Sequence, residues 1–263
     1  MKHRSSLGFQ WHCFNIIFKN QPIGEYQVSK ANNGCVMVIA AHPDDEVLGC
    51  GATIHKLVNH GWRAHLIIMS GGITGRYAKD VLIEGLLQEQ EALAKQMFRA
   101  ASVLGYHNVD TFNFPDNRMD VISKMDLTQA IRPIIERERP DLIFTHHPGD
   151  YNWDHTATFD AVMMAARCNP PEFHPLEIRT FEVLSSTERA WQTPSQVFSP
   201  NLYVDVSRSI DMKKLAMKYY ESEYRAYPHP RSIEGIEYLA RRRGLEVGLE
   251  YAEAFHVIRK VEK

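Results

Sequence analysis

The stretch Cys35-Val36-Met37-Val38-Ile39-Ala40-Ala41-His42-Pro43-Asp44-Asp45-Glu46-Val47-Leu48-Gly49-Cys50-Gly51 decides how the chain is read. It opens on apolar residues without alternation. A short run of that kind reads as a strand covered on both faces, as in a parallel sheet. The run empties into His42, Asp44, Asp45 and Glu46, four polar or ionisable residues around a proline. Such groups at the end of a buried strand are costly unless used, and open α/β sheets bind ligands at the carboxyl ends of their strands.

Similar apolar runs recur at 64–69, 109–114 and 142–145. Helix-like stretches separate them, at about 46–59, 82–104, 124–137 and 154–167. His60-Gly61 and Gly105 supply glycine stop signals. Strands alternating with helices predict an α/β fold with a mainly parallel sheet. Further strands are expected at 180–184 and 202–206, and helices at about 210–221 and 233–243, joined by Tyr227-Pro228-His229-Pro230. Residues 1–33 are read as an N-terminal extension and 34–263 as a single domain, with no repeat, low-complexity tract or flexible linker.

Composition narrows the function classes. The chain has 263 residues, 44% hydrophobic and 24% charged, which suits a globular core and excludes disorder and coiled coil. Lys+Arg is 30 against Asp+Glu 32, a balance unlike that of a dedicated nucleic-acid binder. No apolar run approaches the ~20 residues of a membrane span. His12, Asn15 and Lys19 interrupt any signal-peptide core. Cys13, Cys35, Cys50 and Cys168 form no C-x-x-C, which fits a reducing, cytoplasmic compartment and gives no cysteine zinc site.

His42 and Asp45, at i and i+3, can turn toward one point before the next helix begins, and imidazole with carboxylate is zinc chemistry. Asp44 sits beside a ligand, placed to face a metal-bound water. The bland alternative is that Asp44 and Asp45 cap the helix. A dinucleotide-binding turn fails because Gly49-x-Gly51-x-x-Ile54 lacks the third small residue. The strand at 141–145 empties into His146-His147-Pro148-Gly149-Asp150-Tyr151-Asn152-Trp153-Asp154-His155. Two such loops at one switch point would converge. His155 is read as the third ligand, and Asp154 as an acceptor for an imidazole N–H or a positioner of a neighbour. His146 and His147 are either site groups or packed loop residues. Asp150 and Asn152 also read as turn residues.

With both motifs in view, the sequence resembles the PIG-L/LmbE-like family of zinc-dependent N-deacetylases. AHPDDEVLGCGATI carries the resemblance most specifically, THHPGDYNWDH more loosely, and it extends to Tyr251-Ala252-Glu253-Ala254-Phe255. Phe114-Pro115-Asp116 is similar to a further family feature. The resemblance implies a Rossmann-like fold and one zinc ion per chain, held by His42, Asp45 and His155. It implies Asp44 as general base and removal of N-acetyl groups from amino-sugar substrates. Two positions depart from the family pattern: Asn152 stands where many members have an acid-donating His, and Gln96 where many have an acidic residue. With Asn152 unable to shuttle a proton, Asp44 is expected to act as base and then acid, with His146, His147 or His229 as rival donors.

Substrate contacts are expected from loops. Gly71-Gly72-Ile73-Thr74-Gly75-Arg76-Tyr77 follows the second strand, and Arg76 there suits a phosphate or sugar hydroxyls. Arg231, beside His229, suits a phosphate or carboxylate. Arg241-Arg242-Arg243 reads as a solvated helix face. The expected partner is an N-acetylated amino sugar, free, nucleotide-linked, lipid-linked or polymeric. No nucleic acid or transmembrane segment is expected, and a homo-oligomer is compatible with the reading. Alternatives are a zinc amidase acting on another amide, such as a sugar–thiol conjugate, and a catalytically silent sugar-binding domain.

Overall fold

A computed structural model describes residues 33–73, 75, 77, 83–167 and 175–262. The expected extension falls outside these residues except for Asn33, and so does Arg76. Among the described residues the chain runs β1 (Cys35–Ala40), α1 (Asp45–Asn59), β2 (Arg63–Ser70), α2 (Ile83–Leu104), β3 (Asn108–Phe114), α3 (Lys124–Glu138) and β4 (Leu142–His146). It continues through α4 (Trp153–Ala165), β5 (Glu177–Phe181), β6 (Leu202–Asp205), α5 (Ile210–Tyr219), α6 (Ile233–Leu245) and β7 (Ala252–Lys260).

The seven strands form one sheet in the order β3-β2-β1-β4-β5-β7-β6. The first five are parallel; β7 pairs antiparallel with β5 and β6. The chain steps outward from β1 to β3, then returns to lay β4 on the other side of β1. The carboxyl ends of β1 and β4 therefore meet at the switch point, where the two sequence motifs were expected to converge.

β1 shows why its sequence does not alternate. Val36, Val38 and Ala40 belong to a core with α1, α2 and α5, while Met37, Ile39 and the following Ala41 belong to a second core with α3 and α4. These six side chains are fully buried. Burying a Val, Met or Ile contributes about 1.5–3 kcal/mol, so the strand is pinned from both faces. At the end of α2, Gly105 has φ 85°, and a Cβ there would lie 2.8 Å from Val58 Cγ1 on α1. A side chain there would meet both a left-handed backbone and the neighbouring helix.

A buried ion pair ties α1 to the far side of the sheet. Glu253 of β7 accepts hydrogen bonds from the Ala52 and Thr53 amides at 3.1 and 2.7 Å. Lys213 of α5 bonds Glu253 at 2.6 Å and donates to the Leu48 carbonyl at 2.8 Å. This fixes the helix whose first turn carries Asp45 and Glu46.

The structure corrects three expectations. Arg243 is buried and pairs with Glu182 and Glu246, so only Arg241 and Arg242 of that arginine run are exposed. The strand expected at 180–184 lies at Glu177–Phe181, because Val183 and Leu184 have already left the sheet. Arg179, which made that start look polar, lays its guanidinium 5.5 Å from the Phe144 ring centre and bonds Glu177. β7 was not expected as a strand. No helix among the described residues is long and apolar enough to cross a membrane.

Candidate metal centre and cleft

Asp44 is the hinge between β1 and α1. It has φ 101°, unusual for a residue with a side chain, and such backbone costs about 1–3 kcal/mol unless its surroundings hold it. Glu46 does part of that holding: its Oε2 accepts from the Asp44 amide at 3.1 Å and its Oε1 from the Tyr220 hydroxyl at 2.6 Å. Burial pushes the Glu46 carboxyl up to about 8, against the pull of the Tyr220 hydrogen bond. Opposite the turn, Gly72 has φ 71°, and a Cβ there would sit 2.9 Å from Pro43 Cδ.

The turn directs Asp45 inward. Its Oδ2 accepts from the His42 amide at 2.9 Å and lies 3.4 Å from His42 Nδ1 and 3.3 Å from His155 Nε2. His155 reaches this point from the first turn of α4, so the two loops converge as their sequences suggested. Each imidazole has a carboxylate at its other nitrogen. Asp154 accepts from His42 Nε2 at 2.9 Å, and Asp150 Oδ1 lies 3.1 Å from His155 Nδ1. Asp154 also accepts from the Asn117 and Met119 amides at 2.6 and 2.9 Å. Asp150 takes the hydroxyls of Ser186 and Thr187 and the Asn152 amide.

The pit favours positive charge. Burial lowers His155, but Asp45 and Asp150 outweigh it and raise the imidazole to about 9. His42 is raised too, against burial, by Asp116, Asp154 and Asp45. Burial works to raise Asp45 and Asp150, yet His155 and the surrounding donors hold both carboxyls well below the ordinary range.

His42, Asp45 and His155 can bring one donor atom each within 4.8 Å of the others, and so can His42, Asp116 and Asp154. The first set suits a small cation better. Donors about 2.0–2.1 Å from a tetrahedral zinc stand roughly 3.3–3.4 Å apart, close to the spacings of Asp45 from the two imidazoles. The first set also matches the pattern in which a ligating imidazole is oriented by a carboxylate behind it.

Asp44 faces the same cleft without joining that cluster. Arg231 donates through one nitrogen, Nη1, to Asp44 Oδ2 and Glu223 Oε2, both at 2.9 Å. Burial raises the Asp44 carboxyl to about 7 even with Arg231 drawing it down. Asn152 caps α4, its Oδ1 accepting from the Asp154 amide at 2.9 Å. His146 is buried behind the cluster: its Nε2 accepts from the Ala41 amide at 2.8 Å and its ring stacks on His155. Burial, then His155, takes it down to about 3. His147 turns away to the Gln196 carbonyl, and His229 accepts from the Arg231 amide within its own turn. Among the described histidines, His42 and His155 line the cleft.

Sequence reasoning missed Asp150 as more than a turn residue and gave Glu223 no role. Asp150 carried a weak signal, five residues before a proposed ligand; Glu223 carried none. Gln96 bonds Ser222 Oγ at 3.1 Å and so braces the segment that bears Glu223.

Residues 37–166 match the family model PIG-L, described as GlcNAc-PI de-N-acetylase. The uncharacterized deacetylase YaiS of Escherichia coli K12 is 30% identical over 140 residues, 51% of this chain and 69% of the relative. The chain belongs to the PIG-L family. The diacetylchitobiose deacetylase of Thermococcus kodakarensis is 24% identical over 195 residues, 72% of this chain and 70% of that protein. The fold is that of the N,N'-diacetylchitobiose deacetylase of Pyrococcus horikoshii, with TM-score 0.69, 20% identity and coverage of 86% of this chain and 84% of the other. The match to the PIG-L model spans both His/Asp motifs and every donor of the candidate metal cluster.

Proposed function

We propose that this PIG-L family member is a zinc-dependent hydrolase that removes an acetyl group from an N-acetylated amino sugar. The observation that carries the reading is the division of labour at Asp44-Asp45. Asp45 turns into the cluster with His42 and His155, while Asp44 faces the cleft and bonds Arg231. The relatives named as deacetylases support the reaction class, and the diacetylchitobiose enzyme supports a sugar substrate.

Zinc held by His42, Asp45 and His155 would lower the pKa of a water to about 7 and polarise the acetyl carbonyl. Asp44 accepts the proton of the attacking water. Its Oδ2 is tied to Arg231, which leaves Oδ1 for that proton. Burial raises the Asp44 carboxyl, which suits a group that takes a proton and then returns it. The same group therefore protonates the leaving amine. Among the described residues no histidine is positioned for that step: His42 and His155 each face a carboxylate, and His146, His147 and His229 do not line the cleft. Asn152 holds the start of α4, and with it Asp154 and His155.

Incubation with N-acetylated monosaccharides, their nucleotide-linked forms and short oligosaccharides tests the reading. Equimolar acetate and free amine are expected from at least one class. Amide cleavage that releases another acid in place of acetate would favour the amidase alternative. Binding with no cleavage of any substrate would favour the silent sugar-binding domain.

A further inference from the structure

The cleft is acidic at its base and aromatic at its rim. It has a volume of about 570 Å³, within the range of about 300–1,000 Å³ common for ligand pockets. Three large aromatic residues line it and remain exposed: Tyr151 at 60%, Trp153 at 56% and Trp191 at 72%. They come from two segments of the chain. Tyr151 and Trp153 belong to the loop and first turn that deliver His155, and Trp191 follows the 3-10 turn at Thr187–Arg189. Exposed aromatic surface of this size is unusual unless something covers it.

Trp153 is also held in place. Its indole Nε1 donates to the Asn117 carbonyl at 2.9 Å. That anchors one edge of the ring and restricts its rotation. Asn152, Ser185 and Gln196 line the same mouth and add neutral hydrogen-bonding groups. Anchored aromatic faces beside neutral polar groups match a pyranose ring, whose C–H face packs on an aromatic face while its hydroxyls hydrogen-bond at the edge. Carboxylates outnumber cations in the cleft: Asp44, Asp45, Asp116, Asp150 and Glu223 stand against Arg189 and Arg231, and Arg231 is already paired with Asp44 and Glu223.

We propose that Trp153, Trp191 and Tyr151 form a binding site for a second, neutral sugar ring, so that the preferred substrate is an oligosaccharide bearing the N-acetyl group. The proposal rests on the deacetylase reading for the position of the acetylated ring, but the platform can be tested without turnover. Trp153 and His155 line the same cleft, so a ring on the Trp153 face shares it with one whose acetyl group reaches the cluster.

The experiment has two arms. In the first, kcat/KM is compared on N-acetylglucosamine, its β-1,4-linked disaccharide and an aryl N-acetylglucosaminide, for the wild type, Trp191→Ala and Tyr151→Ala. The wild type should prefer the disaccharide over both others. Each variant should lose about tenfold more on the disaccharide than on the monosaccharide, mainly through KM. Equal losses on both sugars, or a preference for the aryl glycoside, would overturn the proposal; the latter would assign the rim to a flat aglycone. In the second arm, titration of Asp44→Asn with the disaccharide follows tryptophan fluorescence. Saturable quenching weakened about tenfold in Trp191→Ala supports the platform even if no substrate is cleaved. Absence of quenching, or quenching unchanged by Trp191→Ala, removes the platform whether or not acetate is released in the first arm.

Discussion

Asp150 stands directly behind His155, its Oδ1 3.1 Å from the imidazole Nδ1 while Nε2 points at Asp45. The carboxylate is itself held by Ser186, Thr187 and the Asn152 amide. His155 is therefore oriented by a group fixed from three directions, as His42 is by Asp154.

That arrangement makes Asp150 a positioning residue. Asp150→Asn keeps the side-chain volume but replaces a charged acceptor with an amide. Zinc affinity should fall about 10–100-fold, the usual cost of losing such a partner. Competition against a chromophoric chelator measures it. An unchanged affinity would show that the second imidazole nitrogen needs no carboxylate here.

Asp44 and the three donor residues should separate cleanly. His42→Ala, Asp45→Ala and His155→Ala should each lose zinc. Asp44→Asn should retain it and lose about 10²–10⁴ in rate. Elemental analysis beside turnover distinguishes the two classes. Full zinc in the first group, or metal loss in Asp44→Asn, would reverse the assignment.

Arg231 was expected to meet a phosphate or carboxylate of the substrate, and the structure places it on Asp44 and Glu223. Arg231→Ala should therefore release the Asp44 side chain and lower kcat, by up to about 10²-fold for a misplaced catalytic group. A rise in KM with kcat unchanged would return Arg231 to substrate binding.

Much of this architecture is legible in sequence where burial is two-sided or the chain must turn. β1 reads correctly because both faces are covered, and α1 and α2 end at glycines that adopt positive φ. The strand at Glu177–Phe181 was displaced in the reading because Arg179 hides its charge over Phe144. β7 was missed because buried Glu253 interrupts its apolar pattern, and only Lys213 and the α1 amides make that carboxylate tolerable. In the site, His42, Asp45 and His155 stand out by local spacing. The bonds of Arg231 to Asp44 and Glu223 depend on a loop nearly two hundred residues from Asp44, which no local pattern encodes.

The opposite end of the sheet offers a test of the fold alone. His65 bonds Asp110 at 2.8 Å, and Arg137 reaches the same carboxylate at 2.9 Å. The His65 hydrogen bond, opposed by partial burial, holds Asp110 below its ordinary value. A depressed carboxyl contributes stability above its unfolded pKa of 3.8 and loses it as pH falls through the lower folded value. Asp110→Asn should destabilise by about 1 kcal/mol at neutral pH, since the carboxylate is partly exposed. In urea denaturation the gap from wild type should narrow below about pH 4. A gap that stays constant down to acid pH would mean the ionised carboxylate contributes nothing.

The central claim is metal-dependent removal of acetate by this cluster. The direct measurement is acetate release from the best N-acetyl sugar by the purified protein as isolated, after chelation, and after zinc is returned. The account predicts release that chelation abolishes and zinc restores in the wild type, with no restoration in His155→Ala. Acetate release that persists at full rate after chelation, with zinc removal verified by elemental analysis, would contradict it.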